Sequence, residues 1–191
     1  IITGWATLVA AALAFGSEAV LFSGAYAIDR FSQLFKLLIA FALVLQLLSA
    51  QQLKDIHPGI RPEYYMFQLL SVLGLMMLVS SVELITMVVS LELSSFALYL
   101  MVPMRNDRDG LRVQMEAGIK YVMFGVLATG LILYGMSILF GLTGSTYLKD
   151  ILAGLASTKA QPAAMVATVM VLAGFFYKLA AFPMHFWVPD V

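Results

Sequence analysis

Three charges, Glu92, Lys120 and Lys178, stand inside apolar runs, and His185 follows the last of them closely; these are the residues whose types and placement could do chemistry. Glu92 lies nine residues into a twenty-residue segment, roughly 13 Å along a helix and so near the centre of a bilayer. A charge there costs at least about 2.5 to 3.5 kcal/mol on insertion scales, so a partner from another segment or a functional role must account for it. Lys178 belongs to GFFYKLAAFPMHFWVPDV, Gly174 to Val191, with no acidic neighbour within a turn and Pro183 ahead of it. An intact helix satisfies its own backbone in lipid, whereas a break needs surrounding protein or water to take up the freed groups. Burial disfavours an ammonium and a nearby carboxylate restores it, which is the balance that a proton relay uses.

Each of these residues also has a plainer reading. Glu92 can be held protonated, or tied to Ser94 or Ser95. Lys120 follows Glu116 by four residues, the favourable order for a surface pair on a helix. His185, flanked by Phe182, Phe186 and Trp187, reads equally as an interfacial histidine or as a relay beside Lys178. Glu83 begins its segment, where an acid suits the positive end of the helix dipole as well as any function. Lys36 is close enough to its helix start to snorkel, and His57 sits in a turn. Cysteine is absent and the two histidines are far apart, which leaves no local metal cluster, disulfide or thiolate. Without a nucleophile–base pair or a phosphate-binding glycine loop, an independent enzyme has no support.

The elements that position these charges are membrane helices. The 191 residues are 62% hydrophobic and only 12% charged, well outside the range of soluble domains. Eleven basic residues balance eleven acidic ones, so there is no footprint for nucleic acid. A membrane helix needs roughly 20 apolar residues. Such runs predict an all-α bundle of about six segments in one membrane domain over 1–191, with helices at about 2–15, 31–53, 64–79, 83–102, 113–140 and 163–182. The stretch 16–29 between the first two reads as a hairpin region of mixed polarity without strand alternation. Ser80 and Ser81 leave little room between the third and fourth helices, which makes them a tight hairpin. In the loop that starts GLTGSTYLKD at Gly141, Ile151 to Ser157 reads as a short amphipathic piece. Pro162 suits the first turn of the last helix, and Pro183 is the expected site of its break. Gly125, Ala128, Gly130 and Gly135 permit close helix approach in the fifth span. The methionines and phenylalanines read as packing or lipid-facing residues.

Counting basic residues in the loops orients the bundle. Lys54, Arg61, Arg105, Arg108 and Arg112 fall on one side, against Arg30, Lys149 and Lys159 on the other, which favours the former as the cytoplasmic or equivalent side. The chain begins at Ile1 and ends at Val191 with no polar tail, so both ends read as cut from a longer protein.

Three stretches carry a family resemblance: LELSSFALYL (Leu91 to Leu100), EAGIKYVMFGVLATGLILYGMSILFGLTGST (Glu116 to Thr146) and FYKLAAFPMHFWVPDV (Phe176 to Val191). In this order they resemble the antiporter-like membrane subunits of respiratory complex I, and most of all the subunit N (chain 2) kind of proton-translocating NADH:quinone oxidoreductase. The resemblance implies a longer inverted-repeat fold of about fourteen helices, of which this chain is the second to the first half of the seventh. It further implies that Glu92 and Lys178 form a central pair, that Lys120 lies in the same half-channel, and that onward acceptors lie beyond Val191. The chain itself would hold no cofactor. NAD, FMN, iron–sulfur clusters and quinone would belong to partner subunits, with other membrane subunits and the lipid bilayer as its neighbours in an energy-transducing membrane. A subunit of a multi-subunit sodium/proton antiporter, or of a related membrane-bound hydrogenase, would share the same plan.

Overall fold

The structure, a computed structural model, describes residues 1–50, 56–104, 111–157 and 161–190. Its described helices in chain order are α1 (Ile2–Leu13), α2 (Arg30–Ser49), α3 (Arg61–Leu78), α4 (Leu84–Met101), α5 (Leu111–Thr143), α6 (Leu148–Ser157) and α7 (Gln161–Lys178). Among the described residues, four helices are long and apolar enough to cross a membrane: α2, α4 with the turn after it, α5 and α7. Of the other two expected spans, α1 has 12 residues. In α3 the polar residues Arg61, Glu63 and Gln68 dilute the first half of an 18-residue helix.

The termini follow local chemistry. The Asp29 side chain caps α2 by accepting the Ser32 backbone N–H at 2.7 Å, and Asp29 N–H donates back to Ser32 Oγ at 2.9 Å. Glu83 caps α4 by accepting the Thr86 N–H at 2.9 Å, so its expected structural role is the one it has. His57 lies exposed in its turn and accepts the Gly59 N–H through Nδ1 at 3.2 Å. The Lys36 ammonium rests 5.0 Å from the centre of the Tyr26 ring.

Two short strands correct the expectation of no strand. β1 (Ala19–Leu21) and β2 (Tyr26–Ile28) pair antiparallel, with Val20 opposite Ala27. Strands of three residues are too short to show alternation in sequence. Beyond their own pairing, the β2 side is held by a neighbour: Ala27 N–H donates to Ser80 O at 2.8 Å, and Val82 N–H to Ala25 O, just before β2, at 3.1 Å. Leu84 N–H reaches Thr146 O at 3.0 Å, and Tyr147 Oη donates to Ser23 O at 3.0 Å. The hairpin, the α3–α4 turn and the α5–α6 connection therefore meet at one end of the bundle. From that end α4 and α7 run in the same direction and α5 runs back.

Helix pairs form as the small residues dictate. α3 lies along α4 as the expected tight hairpin; a Cβ on Gly74 would meet Ser94 N at 2.6 Å and Ser90 O at 2.8 Å. α5 lies along α7, where a Cβ on Gly135 would meet Ala167 O at 2.7 Å. Gly130 faces open space instead and takes no part in this approach, which corrects its place among the contact glycines. Leu84, Val88, Ile132, Met136, Ala167 and Val171 form the core between α4, α5 and α7. α6 lays Ile151 inward and leaves Leu152 exposed, as an amphipathic surface helix does, and begins three residues earlier than expected.

The break also differs from expectation. α7 ends at Lys178 rather than near Phe182, ahead of Pro183. Ala180 adopts a left-handed conformation with φ 51°, its N–H bonding Tyr177 O at 3.0 Å, while Ala181 N–H bonds Phe176 O at 2.8 Å. This pair of bonds is a Schellman closure, and it satisfies the carbonyls that the helix end would otherwise leave bare. The basic residues Lys54, Arg105, Arg108 and Lys159, and the Arg112 side chain, on which the orientation count depends, lie outside the described residues.

Candidate functional site

Helix α7 delivers Lys178 in its last turn, where a cation suits the negative end of the helix. Its side chain leans back towards the helix start, as helical side chains do, and so reaches the middle of α4. There Lys178 Nζ lies 2.7 Å from Glu92 Oε1. The lysine side chain is 7% exposed and the glutamate 22%.

The lysine end of the pair has all its donors engaged, and the glutamate accepts a further hydrogen bond on Oε1. An ammonium has three donors. Besides Glu92, Lys178 Nζ donates to Ser95 Oγ at 3.3 Å and to Tyr99 Oη at 3.1 Å, both from α4. Its charge also stands 5.6 Å from the centre of the Tyr99 ring. From α5, the Thr129 hydroxyl donates to Glu92 Oε1 at 2.6 Å and lies 3.0 Å from Gly125 O. One hydroxyl proton thus has two acceptors, one charged and one neutral.

Tyr99 is itself tightly placed. It is 4% exposed, and a Cβ on Gly125 would collide with its hydroxyl, so only glycine leaves room for it there. Its ring meets Tyr121 edge-on at 4.7 Å, and Tyr121 stacks on Trp187 at 4.9 Å. Trp187 lies beyond the break and donates its indole N–H to Tyr177 O at 3.1 Å, which latches the segment after α7 back onto the site. A cavity of about 540 Å³ opens beside Lys178. Ser94, Ser95 and Tyr99 line it on one side and Tyr177 on another.

The structure brings Glu92 and Lys178 together and keeps the other two candidates apart from them. Lys120 pairs with Glu116 at 3.1 Å in the i,i+4 arrangement, half-exposed at 42%. Thr129, the α5 residue at the pair, is nine positions further on, about 13 Å along the helix. His185 is exposed, its ring 5.7 Å from that of Phe182. Ser95 bonds Lys178 rather than Glu92, and Ser94 is engaged by Ser71 at 2.9 Å. Thr129, Tyr99 and Tyr121 are absent from the expectations. The available signal for Thr129 was its place directly after Ala128 and four residues after Gly125, on the stripe where α5 meets its neighbours.

The family model described as NADH:quinone oxidoreductase/Mrp antiporter, TM, matches residues 81–191, which hold every residue of this shell. A protein of Opitutus terrae named NADH-quinone oxidoreductase subunit N 2 is 52% identical over 189 residues, 99% of this chain and 40% of the relative. A chain of respiratory complex I from Thermus thermophilus, solved with bound aureothin, superposes with a TM-score of 0.79 at 30% identity, covering 100% of this chain and 40% of that one. A chain of the Mrp complex from Dietzia sp. DQ12-45-1b superposes with a TM-score of 0.80 at 23% identity, over 99% of this chain and 37% of that one, a likeness of fold. The chain thus spans about 40% of the length of these relatives.

Proposed function

Because the chain belongs to the NADH:quinone oxidoreductase/Mrp antiporter transmembrane family, we propose that it is part of a proton-translocating membrane subunit of an NADH:quinone oxidoreductase. It is a multi-pass protein of an energy-transducing membrane. The observation that carries the reading is the 2.7 Å contact of Glu92 and Lys178 inside an apolar bundle. An isolated charge at that depth has no stable place, and the paired form is stable only while both partners stay.

The pair works as a switch. With Lys178 protonated, the carboxylate and the two hydroxyls hold the ammonium. When the pair opens, the carboxylate no longer favours the charged lysine, and its proton can leave for water in the cavity. Thr129 supports both states, since its hydroxyl can turn from Glu92 to Gly125 O. Lys120 is a neighbour in the same half-channel in this reading, and its half-exposed pair with Glu116 supports a position towards a wet end. His185 stays outside the pair. The chain holds no redox centre in this reading; NAD, FMN, iron–sulfur clusters and quinone belong to partner subunits, which drive the switch from a distance.

The test is purification of the full-length protein from its native membrane by a tag. Flavin and iron–sulfur subunits should come with it, and the reconstituted assembly should acidify vesicles when NADH is supplied. Isolation without redox subunits, in a form that exchanges cations by itself, would contradict the reading.

A further inference from the structure

Gln68 of α3 is 2% exposed, and neither its amide nitrogen nor its amide oxygen has a hydrogen-bond partner among the described residues. A primary amide offers two donors and an acceptor with two lone pairs. Burying it dry in an apolar bundle is unfavourable enough that an aliphatic side chain of the same size would serve better. Its surroundings point to what satisfies it. Gln68, Ser71, Leu75 and Leu78 follow the three- and four-residue steps of one helix face. Ser71 shares a buried hydrogen bond of 2.9 Å with Ser94 of α4. Ser94, Leu75 and Leu78 line the cavity at Lys178, as does Tyr177, whose buried hydroxyl also lacks a partner.

We propose that Gln68 binds a buried water at the α3–α4 interface, and that this water continues through Ser71 and Ser94 into the cavity at Lys178 as a side branch of the hydrogen-bonded route. Buried water typically makes about three hydrogen bonds to polar groups that would otherwise go unmatched. The amide supplies both a donor and an acceptor, and the Ser71–Ser94 pair supplies hydroxyls that do the same. A proton entering from the water is taken by one serine oxygen while that hydroxyl passes its own proton to the next. The bonds reverse direction, one proton leaves into the cavity, and no charge remains on either serine. Gln68 lies on the half of α3 nearer Arg61, so the branch runs from that side of the bundle. The conducting part rests on the proton-translocating reading above; the water site does not.

Two measurements on the assembled complex test this. A density map that resolves waters should show one within hydrogen-bond distance of the Gln68 amide, and an empty, dry site would overturn the proposal. Proton movement per NADH should then be compared in Gln68→Leu, Gln68→Glu and Lys178→Met vesicles. At normal assembly, Gln68→Leu should lose at least half of what Lys178→Met loses, and Gln68→Glu, which keeps polar oxygens there, should retain most of it. Loss in Lys178→Met with Gln68→Leu at the wild-type level would overturn the branch alone. No loss in Lys178→Met would overturn the function on which the branch rests, and the branch with it.

Discussion

Lys178 Nζ lies 2.7 Å from Glu92 Oε1, although 86 positions separate the two residues in the chain. Two helices that run in the same direction, α4 and α7, supply one charge each, and α5 fixes the distance between them by lying along α7. Removing one partner of a buried pair costs roughly 3–5 kcal/mol because the other is left unmatched. The surrounding hydroxyls therefore decide how each charge fares when the pair opens.

Those hydroxyls give the first prediction. Thr129→Val and Tyr99→Phe each remove one hydrogen bond to a charged group, worth about 1.5–3 kcal/mol, with little change of shape. Proton movement per NADH in reconstituted complex should fall between the wild-type and Lys178→Met levels, with the amount of assembled chain unchanged. Wild-type pumping in both variants would make the hydroxyls packing groups only.

Glycines on α5 give a contrast. A methyl at Gly125 collides with the Tyr99 hydroxyl, whereas at Gly130 it meets nothing within 4 Å. Gly125→Ala should destabilise the chain by about 1–3 kcal/mol through overpacking. Gly130→Ala should be neutral or stabilise it by up to about 1 kcal/mol through helix propensity. Thermal unfolding of the purified assembly, read beside proton movement, checks both.

At the end of the bundle where the hairpin sits, the Ser32 backbone N–H, and after it the Ser32 hydroxyl, hold the Asp29 carboxyl below the usual carboxylate range. A depressed carboxyl contributes stability above its unfolded value, about 3.9, and loses it as pH falls through the folded value. Asp29→Ala should cost about 1 kcal/mol of α2 stability at neutral pH. Against Asp29→Asn, which can still cap but does not titrate, the wild-type advantage in unfolding temperature should shrink as pH is lowered below about 4.

Lys120 and His185 should behave differently from the pair. The exposed Lys120–Glu116 contact is worth about 0.3–0.5 kcal/mol, so Lys120→Met should assemble normally. Its proton movement should fall, but less than that of Lys178→Met. His185→Gln should stay within about twofold of wild type, since its ring packs on Phe182 outside the pair. Both are read from initial rates of vesicle acidification.

Much of the site was legible in the sequence because charge in an apolar segment is rare enough to demand a partner. Glu92 and Lys178 had no local one, so each asked for a partner from another helix, and it was the family resemblance that implied their pairing; Lys120 had Glu116, and the structure keeps that local pair. Hydroxyl residues carry no such signal. Thr129 and Ser95 fit an apolar helix without needing a distant partner, because either can bond back to its own helix, as Thr129 does towards Gly125 O. The helix end was misplaced for a similar reason. Pro183 is a visible breaker, but the closure depends on Ala180 in a left-handed conformation that sequence associates with glycine. The strands β1 and β2 were hidden because they are only three residues each and because the bonds that support β2 and Ala25 before it come from Ser80 and Val82, in a turn about fifty residues away.

In the proposed function, Glu92 and Lys178 act together on a proton. The direct measurement is NADH-driven acidification of vesicles holding the whole complex, with Glu92→Gln, Lys178→Met and the double variant compared at equal assembly and equal NADH oxidation. Each single variant should lose proton movement and the double should be no worse than either, because the two residues form one functional unit. Wild-type proton movement in both single variants would contradict it.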